Sequence, residues 1–262
     1  MNESVVRSLS GIVYIALIVF ATLFGRESYQ LFFAVLLFIA TNEFAQLARM
    51  AKLPAFLIAG LSVLGAYLLN HSATMQNLVL LSVPFLIFLA ILLFQNKTFK
   101  TNKWLTLIGY IILPFLAITQ YPFVGNNYEP YMILAIFILI WTNDTFAYIF
   151  GKSFGKHKLY EKISPKKTIE GFFGGLLFGM IAGVIIAQYI KTFDWHEWII
   201  IAIIVSIFGT IGDLVESKFK REANVKDSGN LIPGHGGILD RLDSFIFTLP
   251  FLFLFKVILH YV

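Results

Sequence analysis

A chain of 262 residues that is 58% hydrophobic and only 13% charged has too little polar surface to cover a water-soluble core, so the soluble globular classes are excluded. The formal net charge of +5 would suit nucleic acid if it were clustered on one soluble face, but the cations stand in loops between apolar runs; a lipid bilayer is the expected partner and nucleic acid is not. With no cysteine there is no disulfide framework, no thiolate nucleophile and no Cys-ligated zinc.

Crossing about 30 Å of hydrocarbon takes roughly 20 apolar residues. Nine runs approach that length, at 8–24, 29–48, 54–70, 76–94, 104–122, 130–150, 171–190, 197–215 and 242–260. The expected fold class is therefore all-α, a polytopic integral membrane protein of about nine transmembrane helices. No small-residue cleavage pattern follows the first run, so it reads as a retained helix rather than a signal peptide. No loop has room for a soluble domain. Residues 1–125 read as scaffold and 126–262 as the part with the polar, catalytic loops, within one membrane domain.

Nine spans place the N-terminus and the even-numbered loops on one side. All the lysines and arginines except Arg26, Lys191 and Lys256 then share that side. Cationic loops stay cytoplasmic, so the N-terminus and the polar loops are expected inside and the C-terminus outside, in a multi-pass protein of the cell inner (plasma) membrane.

Asp144, in WTNDTFAYIFG, falls about 10 Å inside the sixth span at 1.5 Å per residue. An ionisable group there is costly and marks a site, a cavity or a partner; a structural ion pair with a loop lysine is the plainer alternative. In the sixth loop, Ser164, Lys166, Lys167 and Thr168 stand before the seventh span, a setting that suits phosphate at a helix entrance or simple contact with an anionic leaflet. There is no GxxxxGK[ST], which excludes a P-loop. Gly171, Gly175, Gly179 and Gly183 line one face of the seventh span, a packing stripe within the bundle or between protomers, so a homodimer stays open. The many phenylalanines read as lipid-facing bulk.

Asp213 and Glu216 end the eighth span, and Asp240 and Asp243 open the ninth; both pairs have i, i+3 spacing and so share a helical face. Because both helix ends lie on the same side, the pairs can converge, and clustered carboxylates repel one another unless a cation sits among them. Oxygen ligands without a His/Cys tetrad favour Mg²⁺ over zinc. A plainer reading makes Asp240 and Asp243 caps of the ninth helix. In PGHGG, His235 could ligate metal or carry a proton, while Gly236 and Gly237 permit close backbone approach, and the helix start offers N–H groups to an anion.

The stretch SKFKR, four residues, KDSGNLIPGHGGILDRLD, from Ser217 to Asp243, resembles the signature of the phosphatidate cytidylyltransferases, also called CDP-diacylglycerol synthases. NDTFAYIFGKSFGKHKL and ISPKKTIEG resemble the same family's second conserved region, so the resemblance covers roughly 140–245. Ile169 departs from it, standing where tryptophan is common. The resemblance implies reaction of CTP with phosphatidic acid to give CDP-diacylglycerol and pyrophosphate, with Mg²⁺ as cofactor and a second cation left open. It implies that Asp213, Asp227, Asp240 and Asp243 hold metal, with Asp144 approaching from the sixth span. Ser217, Lys218, Lys220, Arg221, Lys226 and Arg241 would hold phosphates beside the sixth-loop residues, and His235 with Gly236 and Gly237 would shape the pocket. Two other readings stand beside it: a different membrane phosphotransferase, although the chain has no DG dipeptide for a DGxxAR-type run, and a transporter, although the polar groups gather at one interface rather than at midplane.

Overall fold

The computed structural model describes residues 3–69, 72–95, 97–125, 127–234 and 236–261. Its helices are α1 (Glu3–Phe24), α2 (Arg26–Leu47), α3 (Lys52–Leu69), α4 (Ala73–Leu80), α5 (Ser82–Phe94), α6 (Lys103–Thr106), α7 (Leu113–Gln120), α8 (Pro130–Phe154), α9 (Ile169–Tyr189), α10 (Trp195–Glu222) and α11 (Leu239–Tyr261). A π-helical segment, Leu107–Ile112, joins α6 to α7. Two antiparallel hairpins complete the fold: β1 (Phe123–Val124) with β2 (Asn127–Tyr128), and β3 (Lys158–Tyr160) with β4 (Ser164–Thr168).

Among the described residues, eight segments are long and apolar enough to cross a membrane, with α4–α5 counting as one and α6 to α7 as another. The ninth expected run, 8–24, lies in α1, which is apolar over Leu9–Phe24. The break between α4 and α5 follows from Pro84, which has no N–H for the Leu80 carbonyl and crowds it. The π turn has a similar cause: Pro114 cannot donate to the Tyr110 carbonyl, and a wider turn just before it absorbs the mismatch.

The connections sort to two ends of the bundle. At one end, Phe99 N donates to the Glu222 carboxylate, the Tyr160 hydroxyl to Leu93 O (2.8 Å) and the Ser10 hydroxyl to Pro233 O (3.0 Å). At the other, the Tyr29 hydroxyl donates to Ile118 O (2.7 Å), the Tyr128 hydroxyl to Thr22 O (2.8 Å) and Lys256 Nζ to the Tyr121 and Phe123 carbonyls. Arg26 stands at that second end too, over the Phe123 ring.

Lipid solvates apolar side chains, so helices must find one another through shape and close approach. The glycine face of α9 is used entirely inside the bundle. Gly171 and Gly175 lie against the α8 backbone at Ala147 and Asn143, and Gly183 against the α10 backbone at Trp198. Stacked rings add to the glue: Phe146 on Phe178 (3.7 Å), Phe208 on Phe251 (3.6 Å) and Phe137 on Phe245 (4.2 Å). Many phenylalanines are thus core rather than lipid-facing, with Phe33, Phe44, Phe115, Phe245 and Phe247 fully buried. A Cβ at Gly175 would lie 2.7 Å from both Asn143 oxygens. Gly175→Val is therefore expected to destabilise the protein by about 1–3 kcal/mol, read as a lowered Tm in detergent; an unchanged Tm would remove the close approach from the argument.

Candidate active site

Small residues bring the acids together. A Cβ at Gly212 would lie 2.8 Å from Asp243 O and 2.5 Å from Phe247 Cβ, and the Ser244 hydroxyl donates to Gly209 O (3.1 Å). α10 and α11 therefore run close enough for Asp213, Asp240 and Asp243 to face one cavity of about 350 Å³, with Asp144 of α8 on its wall. Tyr14, Ile15, Phe137 and Trp141 supply its apolar side. Asp144 and Asp213 also border a second cavity, of about 580 Å³, whose cations are Lys152, Lys158, Lys166 and Lys167. Ile232 and Arg241 join the first cavity to a third, of about 390 Å³, lined by Lys226, Asp227 and Gly236. The result is a trough across one end of the bundle, cationic at both ends and acidic between them.

The expected phosphate ligands divide. Lys166, Lys167 and Thr168 line the lysine cavity; Thr168 also caps α9, its hydroxyl accepting from Gly171 N (3.1 Å). Ser164 pairs with Tyr160 at the far end of the β3–β4 hairpin. Ser217, Lys218, Lys220 and Arg221 were expected in a loop but extend α10. The Ser217 hydroxyl donates to Asp213 Oδ1 (3.2 Å), and Arg221 donates to its own Val225 O (3.4 Å). Lys218 turns away from the trough, donating to the Leu92 and Lys97 carbonyls with its Nζ 4.4 Å from the Phe99 ring centre. Lys220 is held between two acids, 2.6 Å from Asp240 Oδ1 and 2.5 Å from Glu216 Oε2. A lysine so neutralised serves as internal counter-charge.

Asp240 is the most heavily engaged carboxylate. Besides Lys220 on Oδ1, its Oδ2 accepts from Ser228 N (2.8 Å), Ser228 Oγ (2.9 Å) and Gly237 N (2.7 Å). Gly236 has positive φ (86°), and a Cβ there would lie 2.5 Å from Asp240 Oδ2, so the turn tolerates no side chain. By contrast, Asp243 accepts from Ser244 N (2.6 Å), Asp213 pairs with Lys167 (2.5 Å), and Asp144 has a long contact from Asn143 Nδ2 (3.5 Å). Asp227 borders the third cavity rather than the acid cluster. His235 lies outside the described residues.

The N–H groups opening α11 were expected to be available to an anion. They are not: Glu43 of α2 accepts from Ile238 N and Leu239 N, both at 2.9 Å. Glu43 was missed, though the argument that singled out Asp144, an ionisable group in an apolar run, applies equally to it. Tyr14 was also missed. Its hydroxyl is buried without a hydrogen-bond partner among the described residues, at the edge of the acid cavity. A lone tyrosine in an apolar helix gives no sequence signal of that kind.

The sequence model of the family described as "Cytidylyltransferase family" matches residues 5–259. The chain belongs to the cytidylyltransferase family. Membership makes it an enzyme of nucleotidyl transfer and extends through the early helices, where the motifs gave no resemblance. It is 40% identical over 261 residues to the phosphatidate cytidylyltransferase of Staphylococcus saprophyticus, covering 94% of this chain and 96% of that one. The phosphatidate cytidylyltransferases of Staphylococcus haemolyticus (37% identical) and Staphylococcus aureus (38%) match with the same coverage.

For a cytidylyltransferase of this kind, a divalent cation must be tested against the donors present. Among the described residues no three His, Asp or Glu side chains form a ready metal cage. Asp144, Asp213 and Asp243 are nevertheless oxygen donors of the type a hard cation takes, and all three line one cavity. Asp240 fits less well, because both its oxygens are already engaged.

Proposed function

We propose that this cytidylyltransferase transfers the cytidylyl group of CTP to phosphatidic acid, giving CDP-diacylglycerol and pyrophosphate. The observation that carries this reading is the shared wall of Asp144 and Asp213, which sets a lysine-lined cavity beside one that is part acid, part aromatic. A triphosphate is a polyanion, and Lys152, Lys158, Lys166 and Lys167 offer it a complementary field. A lipid phosphate needs apolar neighbours for its chains and a cation for its head; Ile15, Phe137 and Trp141 with Arg241 supply both.

The lipid's phosphate oxygen attacks the α-phosphorus of CTP, and the bond to pyrophosphate breaks. A phosphate monoester is already nucleophilic near neutral pH, so no strong base is required. The harder task is to bring two anions together and hold them in line. Lys167, tethered to Asp213, stands where the cavities meet and would steady the triphosphate. Mg²⁺, held by Asp144, Asp213 and Asp243, would neutralise phosphate oxygens in the ground and transition states. The cation-rich end of the bundle would face the cytoplasm, with the chain in the plasma membrane.

The test is the purified protein in mixed micelles with CTP, phosphatidic acid and Mg²⁺. Pyrophosphate and CDP-diacylglycerol should appear in equal amounts and require both substrates. Release of CMP instead, or solute flux in proteoliposomes with no need for CTP, would sink the reading.

A further inference from the structure

Glu43 is a charged residue of an apolar helix, yet it is 4% exposed and lines none of the three cavities. Its Oε1 accepts from Ile238 N (2.9 Å), and its Oε2 from Leu239 N (2.9 Å) and Ser228 Oγ (3.0 Å). The N–H groups at a helix start have no acceptor within their own helix and are ordinarily capped by a side chain just before it. Ile238 stands there, its carbonyl accepting from Arg241 N and Leu242 N, and its apolar side chain has no acceptor to offer. A carboxylate from another helix fills the role, with its negative charge at the positive end of α11. The fit is close: a Cβ would lie 2.7 Å from Oε1 at Gly229 and 2.5 Å from Oε2 at Gly237. Two glycines of the polar loop are thus needed to admit the carboxylate.

Ser228 connects this cap to the acid cluster, because its hydroxyl lies between Glu43 Oε2 and Asp240 Oδ2, which share its one proton. From Leu239 onward the chain is helical, and Asp240, Arg241 and Asp243 lie within its first five residues. We infer that Glu43 is a positioning residue: by capping α11 from α2 it sets where those three side chains stand in the trough. The inference rests on the nucleotidyl transfer proposed above, since it assigns those residues to the reacting end. It gives α2, in the half of the chain expected to be scaffold, a part in aligning the reaction without touching substrate.

Glu43→Gln replaces one acceptor oxygen by an NH₂ that faces an N–H donor, while size is kept. Misalignment by a fraction of an ångström acts on turnover more than on affinity. The expected result is a kcat lower by about 10- to 100-fold, with the KM for CTP within about threefold of wild type. Amide exchange should rise at 237–239 and stay unchanged in α8 and α9. Glu43→Asp keeps the charge on a shorter stem and should retain more turnover than Glu43→Gln. Ser228→Ala removes one donor and should lose less than Glu43→Gln; should Glu43→Gln not fold, these two variants decide by the same measures. Wild-type kcat, unchanged exchange at 237–239, or exchange rising throughout with kcat and KM degraded together would overturn the positioning role. A wild-type protein that makes no pyrophosphate from CTP and phosphatidic acid overturns the proposed function instead, and the exchange pattern then decides whether Glu43 anchors α11.

Discussion

Asp243→Asn is expected to give a folded, membrane-inserted protein with kcat reduced by about 10²- to 10³-fold. The hydrogen bond from Ser244 N to Asp243 Oδ1, the one Asp243 makes among the described residues, can be kept by an amide oxygen, so little native structure depends on the charge. Asp243 also shares a cavity with Asp213 and Asp144, groups whose like charge would repel its own. Removing it should leave Tm unchanged or raise it. Turnover should fall because one of three acids on the cavity wall no longer attracts a divalent cation or balances the lysines opposite. The measurement is kcat at saturating Mg²⁺ beside Tm in the same detergent. Wild-type turnover would remove Asp243 from the reacting site, and a large fall in Tm would make it a structural residue.

Much of this arrangement is legible in sequence because of how a bilayer constrains a chain. Apolar runs must cross, and crossing fixes which loops share an end; hence Asp213 and Asp243, thirty positions apart, could be expected to meet before any contact was known. The glycine stripe of α9 was legible for the same reason, though its partners, Ala147, Asn143 and Trp198, were not. What could not be read is which polar group each loop residue chooses. Lys218 and Lys220 are two residues apart with the same chemistry, yet α10 turns one toward the α5–α6 connection and the other toward Glu216 and Asp240. A loop reading treats them alike; a helical one places them about 200° apart around the axis. The continuation of α10 through Glu222 is thus what sends the two lysines to different partners. The capping of α11 by Glu43 is harder still, since it spans almost two hundred positions and replaces a local cap that the side chain of Ile238 cannot supply.

The same geometry separates Asp240 from its neighbour three residues on. Asp240→Ala is expected to lose stability as well as turnover. Its side chain is 4% exposed and Lys220 is 12% exposed, so little water can replace the lost partner. The substitution leaves Ser228 N and Gly237 N without their carboxylate and Lys220 with Glu216 alone. Breaking a buried pair by removing one member costs about 3–5 kcal/mol. Lys220→Met should cost still more, because it leaves two buried acids, Glu216 and Asp240, without their shared cation. Unfolding in detergent should therefore rank wild type and Asp243→Asn together, then Asp240→Ala, then Lys220→Met, even though all three substitutions lower turnover. Should Asp240→Ala unfold with the wild-type Tm, the four contacts to Asp240 would not be what holds the loop, and its carboxylate would be free to serve beside Asp213 and Asp243.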